Sequence, residues 1–129
     1  MIIIKKYEVT TLLFVNYPKC STCRKAKKWL DENSIEYESR HIIEDNPSAS
    51  ELRKWWEISG LPLKRFFNTS GMKYRELKLK DKLPDMSEDE QLDLLATDGM
   101  LVKRPILVGD DVVLVGFKIK EWENELGSD

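Results

Sequence analysis

The hydrophobic positions in the first third of the chain predict a strand, a helix and a second strand. The apolar, β-branched run Thr10–Asn16 is typical of a strand buried on both faces. Apolar side chains then recur at helical spacing from Ser21 to about Asn33, with basic residues between them. Loose alternation over Ile35–Ile43 predicts a second, less apolar strand. A strand–helix–strand order implies that the two strands pair in parallel.

The middle of the chain is predicted to be mostly helical. Ser48 and Glu51 have capping-box spacing before an apolar pattern that runs to about Ser59, and Gly60 can end this helix. Ser87–Glu90 repeats the capping box ahead of another helix, for which Gly99 supplies the stop. Two shorter helical turns are predicted between these helices, over Leu63–Phe67 and Tyr74–Leu79.

The last third predicts a hairpin and a closing helix. Pro105–Val108 and Val112–Val115 flank Gly109-Asp110-Asp111, which is typical of a tight antiparallel turn. Apolar spacing from Ile119 to Leu126 predicts the helix. The element order predicts an α/β, thioredoxin-like fold of the glutaredoxin type, with a mixed four-stranded sheet and a helical insertion. We expect a single domain over residues 1–129, with the core at about 11–45 and 100–126 and the insert at about 46–99.

The composition limits the kinds of partner that the protein is expected to bind. The 21 basic and 23 acidic residues give a net charge of −2, so we expect no direct nucleic-acid binding, and any anion must be held locally. No run approaches the roughly 20 apolar residues of a membrane span. Lys5 and Lys6 follow the apolar run Ile2–Ile4, whereas a signal peptide has its positive charges first. We therefore expect a cytoplasmic protein, in which the leader Met1–Val9 is either an additional strand or a loose start.

The candidate chemistry lies at the two cysteines. Cys20 stands where a strand turns into a helix and faces unpaired backbone N–H groups, which stabilise a thiolate. A thiol in this position can have its pKa lowered from about 8.5 toward 7, which makes it a competent nucleophile. Cys23 is close enough to attack a sulfur adduct formed on Cys20, which is the role of a resolving thiol.

Two other interpretations of the cysteines remain open. A zinc site needs about four ligands, and the chain offers two sulfurs and the single histidine, His41. Free cysteines are also often buried core residues, an interpretation that suits Cys23 on the apolar side of the helix better than Cys20.

Arg104 and Pro105 are the second candidate feature. A cis X–Pro bond is found where a tight turn holds it, and thioredoxin-like folds place such a proline beside the active cysteine. If Pro105 is that residue, the Arg104 guanidinium points toward Cys20 and can bind an oxyanion or a carboxylate. The alternative is that Arg104 is an ordinary surface arginine. Arg24 adds positive charge one turn from Cys20.

These motifs together resemble a known family. Tyr17–Ala26 and Leu101–Val108, followed by Val115–Phe117, are similar to the glutaredoxin-dependent arsenate reductases, a family that also contains the Spx-type transcription regulators. The similarity covers roughly Thr11 to Leu126. It implies a thioredoxin-like fold with a helical subdomain.

The resemblance also implies roles for single residues. Cys20 matches the nucleophile that attacks arsenate; glutathione then joins the arsenic, and glutaredoxin regenerates the enzyme, with no bound cofactor. Arg24 and Arg104, the latter before Pro105, match arginines that hold the oxyanion. Three other charged positions of the family are replaced here, by Asn16, Asn68 and Phe117.

The sequence is therefore compatible with three functions. The first is an arsenate-reductase-like thiol enzyme acting on a small oxyanion. The second is a redox-switched regulator that docks on the RNA polymerase α subunit. The third is a general thiol–disulfide oxidoreductase acting on a disulfide, with glutaredoxin, thioredoxin or another thiol as its reductant; the Cys-x-x-Cys spacing favours disulfide exchange.

Overall fold

A mixed four-stranded sheet organises residues 11–127, the part of the chain that this computed structural model describes. β1 (Leu12–Asn16) pairs in parallel with β2 (Tyr37–His41) and antiparallel with β3 (Ile106–Val108). β3 pairs antiparallel with β4 (Val113–Val115), which gives the strand order β2-β1-β3-β4. The predicted α/β fold with a mixed sheet is confirmed, whereas the leader Met1–Val9 lies outside the described residues.

Helices connect the strands and fill the segment between β2 and β3. The first helix follows β1 directly, the last follows β4, and the others lie between β2 and β3 together with short 3-10 turns. The α-helices are α1 (Ser21–Glu32), α2 (Ala49–Ser59), α3 (Met72–Glu76), α4 (Leu79–Lys82), α5 (Glu88–Leu95) and α6 (Ile119–Leu126). The 3-10 turns cover Leu63–Phe66, Leu83–Asp85 and Gly99–Leu101.

The two faces of the sheet are covered by different helices. Successive strand residues point to opposite faces, so Phe14 and Val15 enter different cores. Phe14 lies in a core shared with α1 and with Trp122 of α6, whereas Val15 lies in the core formed with the helices between β2 and β3. Packing of α1 against the sheet therefore brings its first turn to the end of β1, where the cysteines lie.

Three predicted element boundaries were wrong. The helix after Ser87 was predicted to stop at Gly99, but α5 ends at Leu95, and Gly99 begins the 3-10 turn that follows. The other two errors have a local backbone cause. The second strand was predicted over Ile35–Ile43 but covers only Tyr37–His41; Ser34 adopts a left-handed φ of 55°, and the N–H of Ile35 still bonds back to Leu30 in α1. The helical turn predicted over Tyr74–Leu79 is divided into α3 and α4. Lys78 has a φ of 56° and interrupts it.

An ion pair ties β2 to α2. Arg40 on β2 donates to both carboxylate oxygens of Glu51, at 2.8 and 2.9 Å, and its Nε donates to the carbonyl of Asp45 at 2.9 Å. The hydrogen bonds from Arg40 lower the pKa of Glu51 to about 2, with a further contribution from the Ser48 N–H in the capping box. A bidentate pair of this kind fixes geometry as well as charge.

The Arg40–Glu51 pair predicts a pH dependence of stability. Because the folded-state pKa of Glu51 lies below its unfolded value of about 4.3, the pair stabilises the protein above that pH, and its contribution is lost as the pH falls toward 2. We expect Glu51→Gln to be less stable at neutral pH and to lose less stability on acidification. Urea unfolding from neutral pH to about pH 3 measures this, with Glu57→Gln on the exposed face of α2 as the control. Equal acid sensitivity of Glu51→Gln and the native protein would contradict the prediction.

Candidate active site

Cys20 is the N-cap residue of α1. The turn after β1 is closed by its N–H, which donates to the carbonyl of Tyr17 at 2.9 Å. Its backbone is extended, and its Sγ accepts a hydrogen bond from the backbone N–H of Cys23 at 3.4 Å. The sulfur therefore occupies the position at which an N-cap oxygen normally satisfies the first turn of a helix. The side chain is half-buried, so solvent reaches the thiol while the hydrogen bond from Cys23 fixes its orientation.

Arg104 lies beside Cys20. The Arg104–Pro105 peptide bond is cis, which is the condition under which Arg104 was expected to point toward Cys20, and the Pro105 carbonyl accepts from the N–H of Gly116 at 2.8 Å. The guanidinium carbon of Arg104 lies 5.1 Å from the centre of the Tyr17 ring, a cation–π contact that orients it. Its Nη1 is buried without a hydrogen-bond partner within the described part of the chain. An anion bound next to Cys20 could accept from this free N–H.

These surroundings favour the thiolate of Cys20. Partial burial raises the pKa of the Cys20 thiol, but hydrogen bonds from the N–H and the S–H of Cys23, together with the hydrogen bond and charge of Arg104, outweigh it. The net result is a pKa below the ordinary value for cysteine. A larger thiolate fraction at neutral pH increases the reactivity of a thiol toward electrophiles.

Cys23 has the opposite character. Its side chain is only 2% exposed, and burial raises the pKa of its thiol to about 12, although the N–H of Tyr17 donates to its sulfur at 3.5 Å. Its contact with the negatively charged Cys20 raises this pKa further. Cys23 is therefore a neutral hydrogen-bond donor to Cys20 in the reduced protein. Cys23 is therefore both a buried core residue, as one interpretation of the sequence expected, and a direct contact of Cys20.

Arg24 is not brought to the thiol. It lies one helical turn after Cys20, but its Nη1 donates to the carbonyl of Pro18 at 3.1 Å on the exposed side of the turn. The contact positions the loop that precedes α1. The spacing of one turn predicted proximity along the helix but not the direction of the side chain.

An open cavity of about 620 Å³ lies above Cys20. Most of its lining comes from residues with no predicted role in the site. They lie in α3 and the loop before it, around the 3-10 turn Gly99–Leu101 and just before the cis proline. The lining comprises Cys20, Thr22, Asn68, Ser70, Gly71, Met72, Lys73, Glu76, Asp98, Met100, Lys103 and Arg104. Lys103 could have been predicted from its position next to Arg104, whereas α3 enters the site only through the tertiary fold.

The charges around this cavity nearly balance. Lys73 lies 3.7 Å from Asp98, so these two groups offset each other. Lys103 and Arg104 face Glu76 and the Cys20 thiolate. Asn68 donates to the carbonyl of Met100 at a long 3.4 Å. The cavity can therefore hold one or two anionic oxygens but has no excess of positive charge.

The remaining polar candidates have structural partners. His41 Nδ1 accepts from the backbone N–H groups of Ile43 and Glu44, both at 3.1 Å. Asn16 is buried and donates to the carbonyl of Phe14 and the hydroxyl of Ser39. Among residues 11–127, no group of three or more His, Cys, Asp or Glu side chains is arranged to hold a metal ion. The same residues contain no helix that is long and apolar enough to cross a membrane.

Comparison with known proteins gives a consistent picture. Residues 15–124 match the ArsC family. The chain is 61% identical over 113 residues to the uncharacterized protein YusI of Bacillus subtilis, covering 88% of this chain and 96% of YusI. It is 31% identical to the regulatory protein MgsR of the same organism, over 82% of each chain. The crystal structure of a possible arsenate reductase from Streptococcus mutans is 48% identical, with a TM-score of 0.81 over 89% of this chain and 99% of that one.

Proposed function

This chain belongs to the ArsC family, and from that membership and the geometry of the site we propose that it is an arsenate-reductase-like thiol oxidoreductase. Cys20 is the nucleophile and Cys23 the resolving thiol. The observation that carries the proposal is the Cys20 sulfur at the N-cap of α1, with the N–H of Cys23 and the guanidinium of Arg104 directed at it. Both groups favour the thiolate over the thiol.

In the first step, the Cys20 thiolate attacks the arsenic of an arsenate ion. A sulfur–arsenic bond forms, and one arsenic–oxygen bond breaks, releasing hydroxide that is protonated to water. Arg104 and Lys103 hold the remaining oxygens; Arg104 contributes the buried Nη1 that otherwise lacks a partner. Charge-assisted hydrogen bonds to these oxygens stabilise the added charge.

In the second step, the sulfur of Cys23 attacks the sulfur of Cys20. The sulfur–arsenic bond breaks and its electron pair passes to arsenic, which is reduced from the +5 to the +3 state and leaves as arsenite. The Cys23 proton passes to an arsenite oxygen. A Cys20–Cys23 disulfide remains, and two electrons from glutathione, glutaredoxin, thioredoxin or another thiol restore the two thiols.

The assay for this function measures both products in a single turnover. Reduced protein is mixed with arsenate, and arsenite is quantified alongside the Cys20–Cys23 disulfide by mass spectrometry. We expect the two products in equal amounts, followed by multiple turnovers when glutathione and glutaredoxin are supplied. Absence of both products would reject arsenate as the substrate.

The thiolate is tested separately through Arg104. We expect Arg104→Met to raise the pKa of Cys20 toward the ordinary cysteine value and so to lower the thiolate fraction at neutral pH, because the hydrogen bond and charge of the guanidinium are removed. The rate of iodoacetamide alkylation against pH measures the change. Arg24→Met is the matched control, since Arg24 contacts Pro18 rather than the thiol. Equal shifts in the two variants would contradict the assignment of Arg104.

A redox-sensing regulator is the second candidate function, and the 31% identity to the regulatory protein MgsR supports it. In such a protein, formation of the Cys20–Cys23 disulfide would change the affinity for the RNA polymerase α subunit. A pull-down with the purified α subunit, using reduced and oxidised protein, tests this. Binding that depends on the oxidation state would favour the regulator over the enzyme.

A further inference from the structure

A second cavity adjoins the one above Cys20 and shares Lys103 with it. It measures about 330 Å³ and is lined by Pro62, Lys64, Arg65, Phe67, Thr69 and Lys103. Within residues 11–127, none of its three cations, Lys64, Arg65 and Lys103, forms an ion pair. Among the described residues no carboxylate lines the cavity, and its apolar lining includes Phe67. The positive charge that the Cys20 cavity lacks is therefore located next to it.

Exposed methionines line the cavity that contains the thiol. Among the described residues, the large hydrophobic side chains exposed to solvent are Met72 at 70%, Ile119 at 47% and Met100 at 37%. Two of these three, Met72 and Met100, line the Cys20 cavity. Methionine side chains adapt to partners of different shape and are common at surfaces that bind polypeptides. Burial of these apolar side chains against a partner is also more favourable than their exposure to water.

We propose that these features form one docking surface for an acidic protein partner that presents a reactive sulfur to Cys20. The docking surface is defined by Met72, Met100, Lys64, Arg65 and Lys103. This inference rests on the proposed role of Cys20 as a nucleophile and names the partner of the same site. The acidic side chains of the partner pair with the three cations, and its apolar side chains cover the two methionines.

A protein partner explains the arrangement better than a small oxyanion alone does. A small oxyanion would be held by charge inside the Cys20 cavity, but the charges there nearly balance, and two further cations, Lys64 and Arg65, lie in the adjoining cavity. Met72 and Met100 offer an oxyanion no polar group. A nucleic acid is disfavoured because the whole chain carries a net charge of −2 and the exposed apolar side chains are not aromatic rings on which bases stack.

The reaction with such a partner is a disulfide exchange. The Cys20 thiolate attacks one sulfur of a disulfide on the partner, forming a mixed disulfide and releasing the other sulfur as a thiolate. Cys23 then attacks Cys20, its proton passes to the departing partner sulfur, and the Cys20–Cys23 disulfide forms. The partner disulfide gains two electrons and the protein loses two.

Two synthetic peptides test the proposal. Each contains one cysteine in a mixed disulfide with thionitrobenzoate, and they differ only in whether the flanking residues are glutamates or lysines. Release of coloured thionitrobenzoate reports the attack by Cys20. We expect the acidic peptide to react about tenfold faster at low salt, with the preference falling as salt rises, as electrostatic steering requires.

Variants locate the preference on the protein. Lys64→Glu with Arg65→Glu should reverse the order of the two peptides, whereas Lys54→Glu with Lys120→Glu, which makes the same charge change on α2 and α6, should preserve it. Met72→Ser should slow both peptides. Neither double charge-reversal variant should alter the reaction with hydroxyethyl disulfide, which is small and neutral.

The possible failures are distinguishable. If hydroxyethyl disulfide and both peptides fail to react, Cys20 is not the nucleophile that the proposed function requires. If all three react but the peptides do so at equal rates, only the docking surface is wrong. If a single-stranded oligonucleotide inhibits the peptide reaction as strongly as an unreactive acidic peptide does, the cations bind a nucleic acid. If the protein is a dimer that the Lys64→Glu with Arg65→Glu variant dissociates, the surface binds a second copy of the chain. Either result overturns the proposal.

Discussion

Replacement of Cys20 by serine is expected to lower the rate of arsenate or disulfide reduction by at least about 10³-fold, because a serine hydroxyl has no anionic form near neutral pH. The fold should be retained, since serine is a favoured N-cap residue and can accept the same hydrogen bond from the N–H of Cys23. Single-turnover kinetics and thermal unfolding measure the two effects. Retained turnover in Cys20→Ser would show that another group is the nucleophile.

Cys23→Ser is the matched control for this experiment. It leaves Cys20 as the nucleophile but removes the attack that releases the product, so an adduct on Cys20 should accumulate. Intact-protein mass spectrometry would detect it. Loss of the first step in Cys23→Ser, with Cys20→Ser still reactive, would reverse the two roles.

Replacement of Trp122 by alanine is expected to destabilise the fold by about 3–5 kcal/mol, the usual cost of emptying an aromatic site in a core. Trp122 is completely buried on α6 and packs edge-on against Phe14, Trp29 and Phe117, with ring centres 4.9–6.5 Å away. Its Nε1 also donates to the carbonyl of Gly116 at 3.1 Å. Urea unfolding at neutral pH gives the loss directly.

The control for Trp122→Ala lies on the same helix. Ile119 is 47% exposed, and Ile119→Ala should cost well under 1.5 kcal/mol, because an exposed side chain leaves no cavity. Similar losses in the two variants would mean that α6 is not fixed to the sheet by Trp122. Because Gly116 also bonds to Pro105, loosening of α6 should reach Arg104, and iodoacetamide alkylation of Cys20 in Trp122→Ala would report it.

Local signals predicted most of the fold. The capping boxes at Ser48 and Ser87 begin α2 and α5 as expected, and the Gly109–Asp111 turn separates β3 from β4. These signals act within a few residues, so the sequence carries them directly. The left-handed residues Ser34 and Lys78 could not be predicted, because neither side chain favours that conformation. At Ser34 it belongs to the end of α1, where the N–H groups of Ser34 and Ile35 donate to the carbonyls of Asp31 and Leu30.

The site was predictable only in part for the same reason. The position of Cys20 follows from a strand that turns into a helix, and that of Arg104 from the proline after it. Arg24 shows the limit, since spacing along α1 does not tell which way a long side chain turns. Met72, Lys73 and Glu76 reach the cavity from α3, a five-residue helix whose placement depends on contacts distant in sequence.

The two sulfurs ionise unequally, and this difference affects whether the protein is permanently inactivated by peroxide. A peroxide converts a thiolate to a sulfenic acid, which further peroxide turns irreversibly into a sulfinic acid. Cys20 is the thiolate that reacts first, and Cys23, protonated and shielded from solvent, is spared and stays in contact with it. Condensation of Cys23 with the sulfenic acid expels water and leaves a reducible disulfide, so the shielded sulfur protects its neighbour from permanent inactivation.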